Sequence, residues 1–155
     1  MGIAIGDKLP DLTLAASGGS TVELASDYAG KNLVVYFYPK DNTPGCTLEG
    51  QDFARLYPAF EAANCLVTGV SKDSVKSHNS FCTRFGFPFL LLSDMDEACC
   101  QAFGAIVEKS MYGRKYMGID RCTFLFNAKG RLVREWRNVR AKGHAEEVLI
   151  AVQAL

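Results

Sequence analysis

The chain has 155 residues, 48% hydrophobic and 22% charged, a size and composition that suit one folded domain over 1–155 with a full core. Lysine plus arginine and aspartate plus glutamate number 17 each, so the net charge is zero and the basic footprint that attracts nucleic acid or an anionic membrane is missing. The longest apolar runs, "LVVYFYP" and "FPFLLLS", are too short to cross a bilayer, and "MGIAIGDKLPDLTL" lacks a basic segment ahead of an apolar one, so the expectation is a cytoplasmic protein with no nucleic-acid or membrane partner.

Residues 33–38 (LVVYFY) are β-branched and aromatic throughout and predict a strand buried on both faces, ended by Pro39. From Pro44 to about Asn64, apolar residues recur at three- and four-residue steps, which predicts a helix, with Pro58 expected to kink or break it. Residues 65–71 predict a second buried strand. Residues 74–85 read as a helix, with Ser71, Asp73 or Ser74 as its cap. Residues 89–93 predict a third strand and 96–103 a short helix. Residues 123–126, the turn Asn127-Ala128-Lys129-Gly130 and residues 131–136 read as a hairpin, and a last helix covers about 143–154. Strand, helix, strand, helix, then two strands and a helix make an α/β protein with a mixed central sheet flanked by helices. That order is thioredoxin-like, with residues 1–30 as an N-terminal extension and 72–104 as an inserted segment.

The stretch "YPKDNTPGCTLEG" (38–50) lies where a central strand gives way to its helix, the edge of an open α/β sheet at which ligands bind. Thr43 suits the N-cap and Pro44 the first helical position, where a missing N–H costs nothing. Gly45 and Cys46 then complete a first turn whose free N–H groups and dipole face the sulfur, a setting that favours a thiolate. An ordinary capped helix holding a small apolar cysteine is the competing reading.

These residues resemble a known family. Pro39-x-x-x-Thr43-x-x-Cys46 is similar to the active-site signature of the peroxiredoxins, and Thr43-Pro44-Gly45-Cys46-Thr47-x-Glu49 to their peroxiredoxin Q, or bacterioferritin comigratory protein, subfamily. Gly6-Asp7-x-x-Pro10-Asp11 and Arg121-Cys122-Thr123-Phe124-Leu125 extend the resemblance along the chain. It implies a thiol-dependent peroxidase acting on hydrogen peroxide and organic hydroperoxides. Cys46 would attack the peroxide and become a sulfenic acid, Thr43 would hydrogen-bond sulfur and peroxide, and Arg121 would polarise both. Pro39 would shape the pocket, Gly45 would belong to it, and Glu49 would orient the arginine. The subfamily often places a resolving cysteine five residues after the first, where this chain has Gln51, or in the next helix, where Cys82 fits. The resemblance thus implies an intramolecular Cys46–Cys82 disulfide, recycled by thioredoxin or a similar dithiol, in a monomer without cofactor. Forming that bond needs Cα atoms within ~7 Å. It therefore predicts unwinding of the first turn after residue 44, and of residues 76–84, eased by Gly45 and Gly50.

Ionisation alone does not make a fast peroxidase. A thiol of pKa ~8.5 is about 3% ionised at neutral pH and one of ~6 about 90%, but the weaker nucleophile loses roughly tenfold of that thirtyfold gain. The rest must come from donors aimed at the charge moving onto the leaving oxygen.

The other cysteines, Cys65, Cys99, Cys100 and Cys122, read as buried thiols, Cys122 facing away from Arg121. No C-x-x-C exists and His78 and His144 lie apart from any cysteine pair, so no metal site is expected. His78 reads as a surface residue near Cys82. Phe81, Phe85, Phe87 and Phe89 read as core, with one or two lining an apolar rim. Arg131, Arg134, Arg137 and Arg140 read as a solvated face. A dithiol carrier needs a second cysteine where Glu49 stands, and a redox switch that senses peroxide without turnover is the alternative function.

Overall fold

The computed structural model describes residues 2–155. Its first half contains β1 (Thr13–Ala16), β2 (Thr21–Glu23), α1 (Leu24–Asp27), β3 (Asn32–Phe37), α2 (Pro44–Ala62) and β4 (Cys65–Ser71). Its second half contains α3 (Val75–Phe85), β5 (Leu91–Ser93), α4 (Ala98–Phe103), β6 (Ile106–Met111), β7 (Arg114–Ile119), β8 (Cys122–Phe126), β9 (Leu132–Trp136) and α5 (His144–Gln153). Seven strands form a mixed sheet in the order β2-β1-β5-β4-β3-β8-β9. The three central strands β3, β4 and β5 are parallel, joined through α2 and α3, and the flanking pairs are antiparallel. This is the thioredoxin fold, built around β3, whose six residues all lie within hydrogen-bonding register of β4.

Side chains alternate across β3 and separate two cores. Leu33, Val35 and Phe37 face one side, with Leu24 of α1 and Cys99, Cys100 and Phe103 of α4. Val34 and Tyr36 face the other, with Cys46, Phe53, Tyr57 and Phe60 of α2, Phe81 of α3 and Val148 of α5. The functional stretch therefore lies over the second core, at the carboxyl end of β3.

Three details depart from the sequence reading. α2 does not break at Pro58. Phe53 and Phe60, on either side of it, are fully buried, and their packing outweighs the roughly 3 kcal/mol a helical proline costs. The N-terminal extension is a hairpin that joins the sheet, because β1 pairs with β5. Residues 106–119 form a separate hairpin, β6–β7, turning at Tyr112 (φ 52°) and Gly113 (φ 75°). Its residues are mostly exposed, so no buried face imposed a readable alternation. Arg131, Arg134, Arg137 and Arg140 are exposed, as the sequence reading has them, and Arg137 in addition donates to the carbonyls of Phe103 and Gly104 at the end of α4 and covers the Phe124 ring. No helix among the described residues is long and apolar enough to cross a membrane.

Candidate active site

α2 starts as its sequence requires, with Thr43 in extended backbone at the N-cap position and Pro44 next. The Thr43 hydroxyl does not cap the helix, however, and donates instead to the Lys40 carbonyl at 2.8 Å. Two things follow. No side chain occupies the first N–H groups of the helix, which keep their pull on an anion. The hydroxyl, its proton committed to Lys40, is left with lone pairs that can only accept.

Arg121 immediately precedes β8 and lies on the α2 side of the sheet. Its Nη2 donates to Cys46 Sγ at 3.2 Å and its Nη1 to Glu49 Oε1 at 2.7 Å. Cys46 and Glu49, three residues apart on one helix face, are thus bridged by one planar guanidinium. Gly45 makes the approach possible, since a Cβ there would sit 3.2 Å from Arg121 Nη2. Cys46 is 2% exposed and Glu49 fully buried. Glu49 Oε2 has no hydrogen-bond partner, and burial pushes this carboxyl up to about 7 against the pull of Arg121. Burial also opposes the Arg121 cation, but Glu49 and Cys46 together outweigh it and hold the guanidinium charged. A half-buried cation therefore faces a sulfur at the positive end of a helix, an arrangement suited to stabilising a thiolate and an oxygen that gains charge beside it. Pro39 lies exposed in the loop leading to this site.

All six cysteines are free thiols. Cys82, half-buried on α3, opens on a groove with Ser17, Asn79, Phe87 and Pro88. Burial raises its pKa, and a hydrogen bond from the Ser17 hydroxyl works against that. The remaining four are buried. Burial pushes Cys65 up to about 12 and raises Cys99, Cys100 and Cys122 as well. Cys122 belongs to the first core, on the opposite face from Arg121. Phe81 and Phe89 are core, whereas Phe85 and Phe87 are half-buried and stack in a ladder with Phe89 at 6.1 and 5.5 Å. Gly50 seats this ladder: a Cβ there would lie 2.5 Å from Phe87 Cζ.

His78 is not a surface residue. It is fully buried, with Nδ1 2.7 Å from Asp41 Oδ2 and Nε2 2.9 Å from the Leu92 carbonyl. Asp41 also accepts from the Tyr38 hydroxyl at 2.6 Å and the Ser77 hydroxyl at 2.8 Å. Its own N–H donates to Asp73, which Ser71 also bonds. Asp41, Asp73 and His78 gather ligand atoms within 4.8 Å of one another, but the atoms facing the centre already have these hydrogen-bond partners. The available signal was spacing: His78, Phe81, Cys82 and Phe85 follow the steps of one apolar helix stripe. Neither histidine is hydrogen-bonded to Cys46, and His144 bonds Thr123 at 2.7 Å.

The AhpC/TSA family matches residues 5–135. The peroxiredoxin Bcp of Xanthomonas campestris is 54% identical over 144 residues, 93% of this chain and 89% of that one. A mutant of Xylella fastidiosa PrxQ superposes with a TM-score of 0.93 at 50% identity, covering 98% of this chain and 96% of that one. The Xanthomonas campestris bacterioferritin comigratory protein, solved as trapped intermediate and ligand complexes that bear on its alkyl peroxide reduction, superposes at 0.91 with 50% identity, covering 97% and 98%.

Proposed function

The chain belongs to the AhpC/TSA family and is a thiol-dependent peroxidase of the peroxiredoxin Bcp kind, and from that premise we propose how its residues divide the reaction. Cys46 is the peroxidatic sulfur. Its thiolate attacks the terminal oxygen of a hydroperoxide, the O–O bond breaks, and the leaving oxygen departs as alcohol or water with one proton gained, leaving Cys46 as sulfenic acid. Arg121 stabilises the thiolate and the charge reaching the leaving oxygen, Glu49 and Gly45 hold Arg121 in place, and Thr43 accepts the hydroperoxide O–H. The single observation that carries this is the 3.2 Å contact from Arg121 Nη2 to Cys46 Sγ within the Glu49 bridge.

Cys82 then attacks the sulfenic acid. A disulfide forms, water leaves, and a dithiol of the thioredoxin type returns both sulfurs to thiols while becoming a disulfide itself. Support for Cys82 is its partial exposure beside a groove, against the burial of the other four cysteines. Organic hydroperoxides join hydrogen peroxide as substrates, because the half-buried Phe85–Phe87 ladder offers an apolar rim. The working form is a cytoplasmic monomer of one domain. A stopped-flow peroxide titration of the protein and of its Cys46→Ser and Cys82→Ser variants, followed by a thiol count, tests the scheme. Turnover should vanish in the first, and a sulfenic acid should persist in the second. A Cys82→Ser protein that still forms an intramolecular disulfide at the parent rate would sink the assignment of Cys82.

A further inference from the structure

The Asp41–His78 contact joins two segments that the reaction uses separately. Asp41 sits in the 38–43 loop, between Pro39 and Thr43, and has no regular secondary structure of its own. Ser77 and His78 belong to the first turn of α3, where Ser74 caps the helix by accepting from Ser77 N–H at 3.1 Å. Cys82 follows His78 by four residues, so the two share one stripe of the helix. A single carboxylate oxygen, Asp41 Oδ2, receives both Ser77 and His78. The Leu92 carbonyl can only accept, so His78 Nε2 carries a hydrogen, and one more proton lies between Nδ1 and Oδ2. The imidazole thus spans from the loop on one side to β5 on the other, with both nitrogens occupied and no water access.

We propose that the Asp41–His78 pair is a positioning device for peroxide reduction, tying the loop that carries Pro39 and Thr43 to the helix that carries Cys82. This rests on the reading of Cys82 as the resolving sulfur. Cys82 is held at both ends of its helix, by this pair and by the αL cap at Gly86, whose N–H and that of Phe87 both bond the Cys82 carbonyl. Phe87 in turn is seated on Gly50 of α2, one turn beyond Cys46. Moving Cys82 to Cys46 therefore requires α3 to loosen, and loosening its first turn takes Ser77 and His78 away from Asp41. The loop then loses the contacts that fix Asp41, two residues ahead of Thr43. Peroxide attack and disulfide formation consequently draw on opposite states of one hydrogen-bonded pair, and the pair sets the balance between them.

Two substitutions at one position separate the contacts of His78. Asparagine places its amide nitrogen where Nδ1 lies and keeps the bond to Asp41; glutamine reaches the Nε2 position and keeps the bond to Leu92. Sulfenic acid formation is measured by stopped flow in the Cys82→Ser background, disulfide formation in the protein with both cysteines, and amide exchange over residues 76–84 in each. His78→Gln should slow sulfenic acid formation roughly tenfold, the effect of orphaning a buried acceptor, and speed disulfide formation by a similar factor with faster exchange. His78→Asn should restore both rates to within about threefold of the parent. Should His78→Gln not fold, Asp41→Asn must show the same opposed pair of changes. Equal behaviour of His78→Gln and His78→Asn, or rates that fall or hold together, overturns the proposal. Absence of any 46–82 disulfide in the parent protein overturns instead the reading of Cys82.

Discussion

Residues 121 and 122 are neighbours in the chain that serve opposite faces of the sheet, and each face holds a buried cysteine. On one, the Arg121 guanidinium meets Cys46; on the other, Cys122 lies in an apolar cluster with Phe37, Phe103 and Phe124. Exposure does not separate the two sulfurs, at 2% and 0%. What separates them is the company. Burial among rings raises the Cys122 thiol, whereas Cys46 is buried against a cation at an uncapped helix start. Burial is therefore the common background of both faces, and the donors around the sulfur are what differ.

The sharpest break in that comparison is removal of each sulfur. Cys46→Ser should lower peroxidase turnover by at least about 10³-fold, whereas Cys122→Ser should leave turnover within about threefold and reduce stability by about 1–3 kcal/mol, since it buries a hydroxyl. A steady-state peroxide assay with urea melts of both variants checks this, and loss of activity in a folded Cys122→Ser protein would refute it. Next in size, Arg121→Ala should slow Cys46 oxidation about 10²- to 10³-fold, the usual loss for a transition-state donor. The drop should exceed any change in thiolate population, measured as ultraviolet absorbance against pH; equal losses would mean that Arg121 serves ionisation alone.

A milder test moves the donor without deleting it. Gly45→Ala puts a Cβ 3.2 Å from Arg121 Nη2, so the guanidinium must yield by a few tenths of an ångström. Sulfenic acid formation should slow about three- to tenfold with the melting temperature nearly unchanged, because a side-chain tip is all that moves. An unaltered rate would show that the arginine is not held to that distance.

The smallest effect is in pH and stability. Burial pushes Glu49 up to about 7 in the folded protein, above the ordinary carboxylate value of 4.5. Its contribution is thus present below about 4.5 and lost as pH rises towards 7. Burial, aided by the Arg121 charge, lowers His144 from 6.5 to about 4, so its contribution is present above 6.5 and lost as pH falls towards 4. The two slopes oppose each other. Glu49→Gln should leave the His144 limb alone, and urea midpoints between pH 4 and 6.5 should rise with pH more steeply than in the parent. An unchanged slope would place Glu49 in its ordinary ionised state.

The stretch at residues 38–50 was legible because strand, proline, cap and cysteine each carry a local signature, whereas Arg121, 75 residues from Cys46, was placed only by the family resemblance. Glu49 likewise came from the motif, and the structure adds the helical step that lets one guanidinium reach both it and Cys46. Asp41 and His78 were not, since their meaning lies in a contact 37 residues apart. A lone histidine on a helix reads as solvated until its stripe is compared with Phe81 and Phe85. Thr43 was placed correctly, but the direction of its hydroxyl depends on the Lys40 carbonyl, which only the folded loop brings near. Pro58 misled because propensity is local and the rings that override it are anchored on distant strands. The β6–β7 hairpin stayed hidden for the opposite reason, as it buries too little to leave a pattern.

The seven-stranded sheet stops at β2, three residues long, and at β9, where the register with β8 shifts between Leu125 and Phe126. A second copy seeking to add a strand needs a long, flat row of unpaired amides, and neither rim supplies one. The sheet that carries the site is thus closed to extension at both rims by the shortness of one strand and the irregular pairing of the other.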